Sequence, residues 1–217
     1  MKKIYRMTCL SLLTLLPMIA SADEGEKVYT KGGENPMAIA CMTCHGMQGE
    51  GMAVAGYPNI AGKSAGYLAK QLQDFQTGER SHPVMDSIAK NLKPEEIESV
   101  SLYMQNLPTS EIVEITRASV PTDLGSQLAL RGDWSRHIPE CITCHGPSGV
   151  GVGEAFPKLA GQSELYIINQ MNAWKNGTRH NDQADLMGHI ARNLTDEEIQ
   201  AVAAYFANMP TVGQAGK

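Results

Sequence analysis

The segment Cys41-Met42-Thr43-Cys44-His45-Gly46 returns one hundred residues later as Cys141-Ile142-Thr143-Cys144-His145-Gly146, and this repetition restricts the chain more than any other feature. Two cysteines three positions apart, with a histidine directly after the second, form the attachment signature of c-type haem. Thiols at that spacing lie one helical turn apart and reach the same porphyrin edge, where they add across its two vinyl groups. The histidine then rises beneath the iron, for which an imidazole nitrogen is a good ligand. A zinc site would set its cysteine pairs about 15 to 20 residues apart, and a thioredoxin-like dithiol would follow a strand in a βαβ setting. Neither context is present. Two covalently bound haem c groups are therefore expected, tethered by Cys41 with Cys44 and by Cys141 with Cys144. His45 and His145 are the expected iron ligands.

The first 22 residues read as a secretory signal peptide. Lys2, Lys3 and Arg6 make a basic start, Leu10 to Ala20 an apolar run, and Ala20-Ser21-Ala22 a small-x-small cleavage pattern. The apolar run is shorter than the roughly 20 residues of a spanning helix. Its removal takes Cys9 away and leaves four cysteines, all in the haem motifs, as suits a haem carrier exported to an oxidising compartment. The fifteen basic residues that remain face 23 acidic ones, a formal charge of −8. That balance disfavours a nucleic-acid partner and would steer the protein toward basic docking patches.

The repeat extends beyond the motifs and divides the chain into domains at 23–112 and 126–217, joined by an extended linker at 113–125 that lies across both. Val28 and Gly32 match Leu128 and Gly132 in short opening helices. Pro58-Asn59-Ile60-Ala61-Gly62 matches Pro157-Lys158-Leu159-Ala160-Gly161. Ser64 and Ser163 then stand as N-caps before stripes of Leu68, Leu72, Phe75 and of Ile167, Met171, Trp174. Each half closes with a helix, opened by Pro94 or by the Thr195–Glu198 capping box. No alternating run is long enough for a sheet, so the fold is expected to be all-α: two tandem helical domains, each wrapped round one haem that fills an otherwise thin core.

The sixth iron ligand decides the chemistry, because a thioether favours reduced iron and suits reversible one-electron transfer. Nine methionines remain after residue 22, and most such residues merely pack. Met85 and Met187 differ in holding equivalent places, each six residues before the asparagine of an Asn-Leu pair, in polar segments about 40 residues after the haem motif. They are the expected distal ligands. His82, His137, His180 and His189 read as exposed. Arg80 and Arg179 are either partners of haem propionates or plain surface residues.

With these motifs in hand, nearly all of residues 23–217 resembles the two-domain dihaem cytochromes of the cytochrome c₄ type. The resemblance implies two small cytochrome c folds packed about a pseudo-twofold axis with their haem propionates facing one another. It implies His45 with Met85 and His145 with Met187 as axial pairs, and Pro58 and Pro157 as the residues whose carbonyls orient the haem histidines. It further implies a periplasmic electron carrier rather than an enzyme, passing single electrons from a quinol-cytochrome c reductase to a cytochrome c oxidase or to other redox proteins. Such a carrier is expected to be a monomer, with peripheral attachment to the membrane left open. The alternative is a tightly bound electron-transfer subunit of a dehydrogenase. A dihaem peroxidase or thiosulfate-oxidising enzyme would need a displaceable iron ligand, against which the equivalence of Met85 and Met187 argues.

Overall fold

The computed structural model describes residues 17–115 and 118–212. The expected signal peptide falls mostly outside them. Ten α-helices appear among the described residues, five to each half: α1 (Pro17–Lys31), α2 (Met42–His45), α3 (Ala65–Thr77), α4 (Met85–Lys90) and α5 (Pro94–Gln105), then α6 (Leu124–Arg131), α7 (Cys141–His145), α8 (Glu164–Lys175), α9 (Leu186–Asn193) and α10 (Asp196–Ala207). Extended backbone pairs only in isolated bridges there. No described helix is long and apolar enough to cross a membrane.

The helices start where local chemistry dictates. The Ser64 and Ser163 hydroxyls accept from the Tyr67 and Tyr166 amides and so cap α3 and α8. Thr195 and Glu198 close their reciprocal box at α10, while Glu96 accepts from the Lys93 amide at α5. Gly78 ends α3 in the left-handed region, at φ +86°.

Each half is built on one helix crossing. α1 lies across α5 and α6 across α10, and the backbones meet at glycine. A Cβ on Gly25 would stand 2.3 Å from the Ser99 carbonyl oxygen, and one on Gly125 would stand 2.3 Å from that of Ala201. Around the first crossing pack Val28, Tyr29, Leu72, Phe75, Ile97 and Val100; around the second, Leu128, Ile138, Met171, Ile199, Val202 and Phe206. These are the apolar stripes of the sequence, turned inward.

The connection between halves departs from expectation at its end. Asp123 caps α6 by accepting from the Ser126 amide, so extended chain stops at Asp123 and not at Gly125. Earlier in the connection Ile112 bridges to Thr211, and the Val113 amide donates to the Pro210 carbonyl. The start of the connection thus lies against residues 210–211 of the second half.

Candidate functional site

In each half the motif helix is a single turn, α2 or α7, that carries the histidine at its C-terminal end. The glycine after it takes a positive φ and turns the chain beneath the ring. His45 Nδ1 then lies 3.0 Å from the Pro58 carbonyl oxygen, and His145 Nδ1 lies 2.8 Å from that of Pro157. A carbonyl only accepts, so Nδ1 carries the proton and Nε2 keeps its lone pair for a metal. Burial holds both imidazoles below their ordinary pKa, opposed by these carbonyl bonds. A neutral, oriented imidazole is the form that binds iron. The glycines that let the proline loop come so near are Gly51 and Gly151, whose amides donate to the His45 and His145 carbonyls at 2.8 and 2.7 Å.

The cysteines fit attachment and fit other uses poorly. All four motif cysteines are free thiols, and burial pushes Cys41 up to about 11 and Cys141 up to about 12. Among the described residues no three His, Cys, Asp or Glu side chains converge as a metal site. Beside the first motif lies a cavity of about 380 Å³ whose walls include Cys41, Cys44, His45 and Met85, with Leu68, Leu72, Phe75 and Ile88 as apolar lining and with Tyr166, Gln170 and Arg179 of the second half closing it. Thiols, an imidazole and a thioether among apolar walls are the donor set that a haem requires. In the second half Cys141 and Met187 are half-buried against that half's core, and the Phe156 ring meets His145 edge-on at 6.1 Å.

Met85 opens α4 and Met187 lies at the second position of α9. Their loops are pinned differently. Asp86 accepts from the His82 amide and from the Ser81 hydroxyl, both at 2.8 Å. The three extra residues of the second loop form a turn at Gln183–Asp185, in which Ala184 and Asp185 take φ of +56°. Asp182, ahead of this turn, accepts from the Met187 and Gly188 amides and from the Trp174 indole. The longer loop therefore has its own brace. His82, His137, His180 and His189 are exposed, as expected.

The surface reading of Arg80 and Arg179 is corrected. Both are buried, at 6% and 5% exposure, because they meet between the halves. Their backbones form an isolated antiparallel bridge. Arg80 donates to Gln71, Gln170 and Tyr166, and Arg179 to Gln71, Gln170 and Asn181. The Arg80 guanidinium lies 4.5 Å over the Phe75 ring and that of Arg179 lies 3.9 Å over Trp174. Sequence reasoning missed Gln71, Gln170, Tyr67 and Tyr166 in this network, although their shared offset of 99 residues was the available signal.

A cytochrome c family model matches residues 22–108 and again 125–210. A protein of Stutzerimonas stutzeri (strain A1501) named thiosulfate dehydrogenase electron acceptor is 54% identical over 195 residues, covering 90% of each chain. Among solved structures, a thiosulfate dehydrogenase from Marichromatium purpuratum superposes with a TM-score of 0.78 at 40% identity. That match covers 87% of this chain and 40% of the other, so the present chain spans two fifths of that protein's length. Reduced cytochrome c₄ from Pseudomonas stutzeri superposes with a TM-score of 0.72 at 28% identity, covering 87% of this chain and 98% of the other.

Proposed function

The chain belongs to the cytochrome c family, in its two-domain dihaem c₄ form, and we propose that it accepts single electrons from a thiosulfate-oxidising dehydrogenase in the periplasm and hands them to a respiratory acceptor. Two haem c groups, held by Cys41, Cys44 and His45 and by Cys141, Cys144 and His145, would supply the reversible one-electron chemistry. The observation that carries the reading is the doubled site: a CxxCH histidine held by a proline carbonyl, followed by a braced methionine, in both halves. The choice of dehydrogenase rests on the name and 54% identity of the Stutzerimonas relative and on the likeness to part of the Marichromatium enzyme.

In this reading His45 and Met85 hold one iron, and His145 and Met187 the other. The Pro58 and Pro157 carbonyls fix the imidazole planes and raise their basicity, while the thioethers favour the reduced state. The apolar residues around Cys41 and Cys44 would pack against the first haem. Residues 1–22 would export the chain, and the halves 23–112 and 126–217 would each carry one centre. Delivery to a cytochrome c oxidase would complete the path, through an interface small enough to release.

The test is direct. Oxidised holoprotein is mixed with catalytic amounts of a purified thiosulfate dehydrogenase and with thiosulfate, and haem reduction is followed by its visible bands. Rapid reduction of both haems, dependent on enzyme and on thiosulfate, is expected. Reduction no faster than with thiosulfate alone overturns the assignment of the donor.

A further inference from the structure

The two halves treat each other's proline loops unequally. Gln162 of the second half donates through Nε2 to the Asn59 carbonyl at 2.8 Å, just after the Pro58 carbonyl that holds His45. The equivalent of Gln162 in the first half is Lys63, 99 residues earlier. Lys63 Nζ donates at 2.8 Å to the Lys158 carbonyl, just after the Pro157 carbonyl that holds His145. One member of this reciprocal pair is a neutral amide and the other an ammonium. Arg80 and Arg179 are matched across the halves, so Lys63 is an unmatched cation.

We propose that Lys63 is a tuning residue supplied by the first domain to the second haem, where its charge favours the ferrous over the ferric iron held by His145 and raises that centre's potential.

Lys63 is 7% exposed, so water screens its charge weakly. It borders the 380 Å³ cavity at the first centre and also a seam cavity of about 410 Å³ whose other charged lining residues, Glu154 and Lys158, belong to the second half, where its ammonium makes its hydrogen bond. Burial pulls the ammonium down to about 7, with Lys158 adding to the effect. A cation kept where it is costly, with its donor on the loop that positions a metal ligand, is suited to tuning the metal. When the second iron takes an electron, the local positive charge falls by one and repulsion from Lys63 is relieved, so the step becomes more favourable. The inference rests on the reading of His145 as an iron ligand.

Lys63→Gln installs the neutral donor that the other half already uses. The holoprotein is titrated spectroelectrochemically at pH 6, where the ammonium is present, with the two haems distinguished by NMR of their methionine methyl signals. The second haem's potential is expected to fall by more than the first's, with two haems per chain and both methionine-to-iron bands retained. Lys63→Met, which keeps the apolar stem without the donor, should give at least the same fall and decides the matter if the glutamine variant does not assemble. Unmoved potentials, or equal shifts of both haems, overturn the inference. Fewer than two haems in the unaltered protein, or a second haem without histidine and methionine ligation, would instead overturn the reading on which it rests.

Discussion

Arg80 and Arg179 meet across the seam as reciprocal images: each donates to both Gln71 and Gln170, at 2.7 to 3.0 Å. Their other side-chain acceptors are the phenol oxygens of Tyr166 and Tyr67 and the amide oxygen of Asn181, so among the described residues neither guanidinium donates to a carboxylate. The Asp74 carboxylate accepts from Asn181 and Lys70, and its backbone carbonyl accepts from the Arg80 amide at 3.1 Å. Two buried cations without a direct anion are costly, and the facing haem propionates that the c₄ resemblance implies would supply the missing charge.

Arg179→Gln should accordingly loosen the joint. It withdraws donors from Gln71 and Gln170 and an aromatic stacking partner from Trp174. Leaving such buried groups unsatisfied costs about 1–3 kcal/mol. Urea unfolding of the holoprotein should show a loss in that range. A loss under about 0.5 kcal/mol, the level of an ordinary surface change, would remove the arginine pair from the account of how the halves are held.

Met85→Ala and Met187→Ala test the distal ligands separately. Covalent attachment does not depend on either methionine, so haem content should stay at two per chain. The altered centre should lose its near-infrared methionine-to-iron band, bind carbon monoxide and drop in potential by a sizeable part of the ~0.8 V that axial ligands command. If the band survives in either variant, another side chain holds that iron.

What could be read from the sequence was what repeats or is local. The haem motifs, the Ser64 and Ser163 caps and the stripes of α3 and α8 are settled within a few residues, and the duplication reports each of them twice. The burial of Arg80 and Arg179 is a property of the seam. It joins residues about 100 positions apart and leaves no periodic mark along the chain. Equivalent tyrosines and glutamines were visible at positions 67, 71, 166 and 170, but a shared position does not say which way a side chain faces. The brace at Asp182 escaped notice because an insertion of three residues has no counterpart to be compared with. Gly25 and Gly125 escaped for another reason: a glycine inside a helix reads as a weak spot until the crossing helix is seen.

That crossing carries its own prediction. Gly25→Ala and Gly125→Ala would each drive a methyl group to 2.3 Å from a backbone carbonyl of the partner helix, and backbone cannot step aside as a side chain can. Alanine otherwise favours helix by about 1 kcal/mol over glycine, so an isolated helix would gain. The folded halves should instead lose about 1–3 kcal/mol through overpacking, with the unfolding midpoint of the altered half moving alone. A stabilised variant would show that the helices do not cross so closely.

The last prediction concerns acid. Arg136 grips Glu198 through two nitrogens, at 2.5 and 3.0 Å, and also holds Asp133 at 2.7 Å, tying the turn before the second haem motif to the start of α10. The Arg136 hydrogen bonds hold the Glu198 carboxyl below its ordinary value of 4.5. The folded state thus binds this proton less readily than the unfolded chain does, and the pair's contribution is complete above pH 4.5 and lost as pH falls through the depressed folded value. Arg136 keeps 37% of its side chain in water, so solvent screening keeps the contribution small. Glu198→Gln retains an oxygen to accept from the Thr195 amide and so preserves the cap while deleting the charge. Between pH 6 and 3, stability by urea unfolding should fall less steeply in E198Q than in the unaltered protein, the two curves converging at the acid end. Parallel curves would mean that the Arg136–Glu198 pair contributes nothing to the acid sensitivity of the second half.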